Sequence, residues 1–178
     1  MPGHLKRVSV VTSASGAGGT TFARSLADRL GVPFHELDAL FWRPGWTETP
    51  AEEFRALVEP IVATDAWVID GSYQSKLGDL VFRRADLVVW LDLPFGVWFP
   101  RLIGRTLARV VRREELWAGN RESLRNVVLS RDSLLLFTLR HYRGRRRRYP
   151  VQLGRFSLVR MRTTREVERF LLRAGNAE

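Results

Sequence analysis

The chain has 178 residues, 45% of them hydrophobic, with no cysteine and a formal net charge of +10. That length fits a single domain over residues 1–178 with a full core, and the lack of cysteine excludes a disulfide framework or a thiolate metal site. There is no apolar run of membrane-spanning length and no leader-type apolar stretch after Met1-Pro2-Gly3-His4-Leu5-Lys6-Arg7, so a cytoplasmic protein with no membrane partner is expected.

In chain order, Lys6–Thr12 reads as a buried strand. Thr20–Leu30 reads as a helix with Phe22, Ala23, Leu26, Ala27 and Leu30 on one face, stopped by Gly31 and Pro33. Between them lies the small-residue stretch Ser13-Ala14-Ser15-Gly16-Ala17-Gly18-Gly19-Thr20-Thr21. Strand, glycine loop and helix start, in that order, form a cradle for phosphate. Backbone N–H groups from Ser15, Gly16, Ala17, Gly18, Gly19, Thr20 and Thr21 can turn onto an anion, and the helix N-terminus adds favourable potential. Gly18 and Thr20 fit the pattern G-x-x-x-x-G-K-[ST]. Ser13 stands in place of the first glycine and Gly19 in place of the lysine. The Thr20 hydroxyl is placed to ligate a Mg²⁺ ion that bridges two phosphates of ATP. The missing lysine removes a charge-assisted contact of about 1.5–3 kcal/mol. Restoring it at position 19 is expected to tighten nucleotide binding if the loop has ordinary geometry. The plain alternative is a glycine-rich turn with no ligand.

Pro33–Leu37 follows as a short second strand, ending at Glu36-Leu37-Asp38. Pro50–Thr64 reads as a helix with Thr49 as N-cap and Pro50 at its first position. Trp67–Ile69 is a third strand, ending at Asp70-Gly71-Ser72-Tyr73, and Leu87–Leu91 a fourth, ending at Asp92-Leu93-Pro94. Phe95–Arg113 and Arg121–Tyr142 read as helices, the second with an interruption. Residues 112–123 form a tip between them, broken at Gly119 or Asn120. Phe156–Met161 is the last strand and Arg165–Arg173 the closing helix. Apolar strands alternating with amphipathic helices predict an α/β fold, with a five-stranded parallel sheet between two helical layers. Ligands in such sheets bind at the carboxyl ends of the strands, where the glycine loop and the polar strand ends gather.

The loop, Leu37-Asp38-Ala39-Leu40-Phe41-Trp42, Trp67-Val68-Ile69-Asp70-Gly71-Ser72-Tyr73, Leu91-Asp92-Leu93-Pro94 and Arg101-Leu102-Ile103-Gly104-Arg105 resemble adenylate-kinase-related P-loop proteins of bacteria. Within that group the chain looks most similar to those labelled DNA topology modulation proteins. The resemblance covers nearly the whole chain. It implies the three-layer P-loop NTPase fold with a helical, arginine-rich lid inserted at about 101–149, and ATP with Mg²⁺ as cofactors. By the same resemblance Arg101 would lie against the adenine and Arg105 would reach the transferring phosphates. Asp38 would orient an acceptor hydroxyl or contact Mg²⁺ through water, and Asp70 would sit near the metal. Ser13, Gly19 and a lid without cysteines depart from the family pattern.

Chemistry at such a site is mostly electrostatic. Residues 101–148 hold 14 arginines and four acids. Arg101, Arg105, Arg109 and Arg112 follow one another at helical spacing, and their guanidinium groups can stand in for the missing lysine. The catalytic candidates are therefore Asp38, Asp70, Arg105 and Arg109, with Thr20 and Asp70 as metal ligands. For each, a cap or a solvated helix face is the simpler role. Phe41, Trp42, Trp46 and Tyr73 can wall an acceptor pocket or pack a minor core. His4, His35 and His141 have no ligand spacing. The run Arg140–Arg148 reads as a solvated helix end or a surface for nucleic acid, with non-specific binding expected at low salt. The expected activity is transfer of the ATP γ-phosphate to a small-molecule acceptor such as a nucleoside or nucleotide. The alternative is a weak or inactive relative that binds nucleotide or nucleic acid through its arginines. Oligomeric state is not legible.

Overall fold

The computed structural model describes residues 5–121 and 134–174. Its centre is a five-stranded sheet of β1 (Arg7–Thr12), β2 (Phe34–Glu36), β5 (Trp67–Asp70), β6 (Leu87–Leu91) and β7 (Leu158–Met161), in the order β2-β5-β1-β6-β7. Every pair in it is parallel. The expected α/β fold with a five-stranded parallel sheet is present.

The pleat sorts the side chains. Val8, Val10, Val68, Val89 and Leu91 pack with Phe22, Ala23 and Leu26 of α1 (Gly19–Leu30) and with Phe170 of α8 (Thr164–Ala174). Their neighbours one residue away point to the opposite face. There, Trp67 and Ile69 meet Phe54, Val58 and Val62 of α3 (Ala51–Ala63). Further along the same face, Val11, Val88 and Trp90 meet Tyr149 and Leu153 of α7 (Leu134–Leu153). Strands buried on both faces have no polar alternation, which is why they read as continuous apolar runs.

Several local features differ from expectation. Thr49 does not cap α3: its hydroxyl donates to the carbonyls of Leu40 and Phe41 at 3.0 and 2.9 Å. It is held there by a small antiparallel hairpin, β3 (Trp42–Arg43) and β4 (Thr47–Glu48), around a 3-10 turn at Pro44–Trp46. A one-turn helix α2 (Leu37–Phe41) precedes the hairpin, and two short helices, α4 (Gln74–Leu77) and α5 (Leu80–Arg84), connect β5 to β6. Helix α6 (Phe95–Arg112) stops at Arg113, which caps it in the left-handed conformation at φ 48°. That end agrees with the expected helix Phe95–Arg113, and a 3-10 turn at Trp117–Gly119 lies within the expected tip. The start of the helix expected at Arg121–Tyr142 falls partly on residues 122–133, outside the described residues, and α7 continues through the arginine run to Leu153.

Candidate functional site

The loop from β1 to α1 is shaped by two glycines at φ +85°, Gly16 and Gly18. A β-carbon on Gly16 would lie 2.7 Å from the Trp98 carbonyl and 2.8 Å from Leu102 Cβ, so α6 is packed directly on the loop. Gly16, Ala17, Gly18 and Thr21 line one wall of a cleft of about 440 Å³. Leu93, Arg101 and Arg105 line a second wall, and Thr164, Val167 and Leu171 of α8 a third. That volume lies in the range of small-ligand sites. Apolar side chains flanked by two arginines and a helix N-terminus suit a group that is part aromatic and part anionic. Ser15 is not among the lining residues.

Gly19 and Thr20 face the other way. A β-carbon at Gly19 would stand 2.7 Å from Thr12 Cγ2 and 3.0 Å from Asp70 Oδ1. The space a lysine would need is therefore filled by neighbouring side chains, and the loop does not have the geometry that would make position 19 a simple gain of charge. Ser13 does not join the cradle either. It is buried, donating to Asp92 Oδ1 at 2.7 Å and accepting from Trp90 Nε1 at 2.8 Å.

The carboxyl ends of β2 and β5 bring three acids to the start of α1. The Thr20 hydroxyl lies 2.7 Å from Asp70 Oδ2 and 3.1 Å from Glu36 Oε1. Burial, reinforced by the charges of Asp38 and Glu36 and opposed by the Thr20 and Gly71 hydrogen bonds, pushes the Asp70 carboxyl up to about 7. Asp38 is also raised, chiefly by burial, while Tyr73, Arg105 and Arg145 favour its charged form. Tyr73 donates a short hydrogen bond to Asp38. Its backbone is left-handed at φ 37°, and its ring packs on Phe41 and Phe54. Such a backbone costs on the order of 1 kcal/mol and persists where packing holds it.

The sequence candidates thus divide. Thr20, Asp38 and Asp70 come together, with Arg105 close enough to act electrostatically on Asp38 while lining the cleft. Arg101 lines the cleft. Arg109 instead lies 3.7 Å from Glu114, at the base of the lid tip. All nearby donors are hard oxygens, the type Mg²⁺ prefers. Among the described residues, no group of three or more His, Asp or Glu is placed to hold a metal alone.

Sequence reasoning missed the packing of the segment around Trp117–Asn120 on the hairpin. Asn120 accepts from the Trp46 backbone at 3.0 Å and donates to the Arg43 and Trp117 carbonyls, each at 2.9 Å. Trp117 Nε1 donates to Glu36 Oε2 at 3.2 Å, and its ring meets Trp46. Trp46 and Ala118 both have positive φ at this junction.

No protein-family model and no curated protein matches the sequence. Solved structures with a similar fold include a shikimate kinase from Acinetobacter baumannii in complex with shikimate, at 16% identity and a TM-score of 0.60 over 98% of this chain and 96% of that one. A gluconokinase from Sinorhizobium meliloti 1021 aligns at 19% identity and a TM-score of 0.56, covering 98% and 91%. A sugar kinase from Janibacter sp. HTCC2649 aligns at 20% and 0.53, covering 95% and 92%. The chain shares the fold of these P-loop kinases. Among the described residues no helix is long and apolar enough to cross a membrane.

Proposed function

We propose that the protein is a phosphotransferase that moves the γ-phosphate of MgATP to a hydroxyl of a small-molecule acceptor. The observation that carries this reading is the course of the loop, in which Gly16, Ala17, Gly18 and Thr21 line one compartment while the Thr20 hydroxyl meets the acids of another. On one side is the arginine-lined cleft behind the glycine loop, suited to nucleotide. On the other are Glu36, Asp38 and Asp70 beneath the lid tip. The fold it shares with a gluconokinase and a shikimate kinase supports the same reading.

In this reading the base and ribose occupy the cleft between Arg101 and α8, and the phosphates pass along Gly16–Gly18 to Thr20. Thr20 and Asp70 are the residues that would hold Mg²⁺, which when bound would neutralise phosphate charge. Asp38, oriented by Tyr73, receives the proton of the acceptor hydroxyl. The acceptor oxygen bonds to the γ-phosphorus as the bond to the β,γ-bridging oxygen breaks. A carboxylate whose pKa is raised by burial is a better base near neutral pH than an ordinary one. Arg105, reaching both compartments, stabilises the charge that builds between donor and acceptor.

The test is a product screen with MgATP over polyols, hydroxy acids, nucleosides and nucleotides, read as added phosphate by mass spectrometry. Turnover of one class is expected. Arg105→Ala should lower kcat about 100-fold with little change in Tm, while the exposed-control variant Arg147→Ala leaves both near wild type. No MgATP binding by calorimetry at millimolar nucleotide would overturn the assignment.

A further inference from the structure

We propose that Asp92 is a positioning residue that locks the phosphate loop and helix α7 together, with Ser13 as the loop's side of the lock. The Asp92 side chain is fully excluded from solvent and both of its oxygens are engaged. Oδ1 accepts from Ser13 Oγ at 2.7 Å and pairs with the Arg146 guanidinium, whose Nε lies 2.9 Å away. Oδ2 takes Arg160 Nε at 3.0 Å and Nη2 at 2.5 Å. Those donors come from the loop, from α7 and from β7.

The contacts close into a ring. The Arg160 guanidinium lies over the Trp90 indole, 4.1 Å from its centroid, and that indole donates to Ser13 Oγ at 2.8 Å. A second path leaves Arg146. Its Nη1 donates to the Tyr142 hydroxyl at 3.0 Å, Tyr142 packs on Trp98, and the Trp98 carbonyl is the atom that closes on Gly16. Helix α7 therefore connects to the start of the loop through Asp92 and to its middle through Trp98.

This arrangement explains the serine. A glycine at position 13 would remove the hydroxyl, leave the buried Trp90 Nε1 without a partner and strip one donor from Asp92. A buried ion pair alone adds little net stability, so what the ring supplies is geometry. Arg146 also anchors this part of α7, whose preceding residue, Arg145, adds to Arg105 in favouring the charged form of Asp38. A single carboxylate thus ties the glycine loop to α7 and to β7.

Arg146→Gln, Arg146→Lys and Ser13→Gly in the full chain test this, since Arg146 is 39% exposed and tolerates replacement better than Asp92. Amide exchange of the ligand-free protein is the first readout. Arg146→Gln should speed exchange across residues 14–18 about tenfold, with residues 67–70 unchanged and Arg146→Lys intermediate. A folded Arg146→Gln variant with wild-type loop exchange overturns the proposal. The second readout, MgATP affinity, rests on the loop being a nucleotide site. Arg146→Gln and Ser13→Gly should each weaken it several-fold, and the double variant should be no weaker than the worse single. Additive losses would refute the lock. Wild-type protein that binds no MgATP would refute the nucleotide reading, with the exchange result still deciding the coupling.

Discussion

A β-carbon at residue 19 would sit 2.7 Å from Thr12 Cγ2 and 3.0 Å from Asp70 Oδ1, so Gly19 and Thr12 behave as a matched pair. Gly19→Lys alone should cost about 1–3 kcal/mol, from overpacking, and leave MgATP affinity no better than wild type. Thr12→Ala with Gly19→Lys should recover the stability and tighten MgATP about tenfold. Melting curves and calorimetry decide it, and tighter binding by the single variant would mean the loop yields more than its packing suggests. Asp70 gives a second test. Its carboxyl is pushed up to about 7 in the folded protein, against about 4 for an unfolded aspartate. The folded state therefore keeps a proton that the unfolded state has released, and stability falls as pH rises from about 4 to about 7. Asp70→Asn should remove most of that fall, raising stability at pH 8 by roughly 1–3 kcal/mol, leaving it unchanged at pH 4, and abolishing turnover. Equal effects at both pH values would contradict the assignment. The glycine-loop pattern points to Thr20, places at or just past strand ends point to Asp38 and Asp70, and the fold brings the three together. Thr12 against Gly19, and Ser13 against Asp92, were not legible in the sequence: they depend on which side chains the sheet sets side by side, in one case 79 residues apart.

The strands and helices α1, α3, α6 and α8 were readable from periodicity, because a buried run or an amphipathic stripe repeats over many residues, whereas α7 runs eleven residues past its expected end at Tyr142. Single-turn pieces carry no period, so α2, α4, α5 and the Trp42–Glu48 hairpin were invisible. The tip at residues 112–123 was legible in outline, but what holds it was not. Its break lies at Arg113, a residue with no intrinsic preference for left-handed backbone. What holds the tip is Asn120, buried and hydrogen-bonded to three backbone groups of the hairpin and tip. Asn120→Ala leaves the Trp46 N–H and the Arg43 carbonyl without these partners, a loss of about 1–3 kcal/mol. Because those groups belong to a peripheral element, the cost should appear as lid opening and not as global unfolding. The expected result is faster proteolysis between Arg113 and Arg121, altered fluorescence from Trp46 and Trp117, and a raised KM for acceptor with Tm within a few degrees of wild type. A large fall in Tm with no local cleavage would place Asn120 in the global core instead.

The excess positive charge of the whole molecule is concentrated in residues 101–148, yet the structure divides that charge between jobs. Arg146 is bound to Asp92, Arg145 acts on Asp38, and Arg101 and Arg105 line the cleft. From the run on α7, Arg140, Arg143, Arg147 and Arg148 remain exposed. Each phosphate neutralised contributes about −0.9 to the log–log salt slope, so four arginines give a slope of about −3.6. Raising salt from 50 to 200 mM should then weaken DNA binding by about 100-fold. Non-specific DNA binding is therefore expected at low salt and weak near physiological salt. MgATP should compete only for the part that Arg101 and Arg105 contribute, since they line the cleft it would fill. Arg143→Ala with Arg147→Ala should flatten the slope by about two, whereas Arg146→Gln, whose guanidinium is already committed to Asp92, should change it by less than one. Anisotropy titrations of labelled duplex across salt, with and without MgATP, measure all three quantities. Binding that stays tight at 200 mM salt, ignores MgATP and is lost with Arg143 and Arg147 would make α7 a nucleic-acid surface in its own right. It would then count against reading the arginines as parts of a phosphoryl-transfer site.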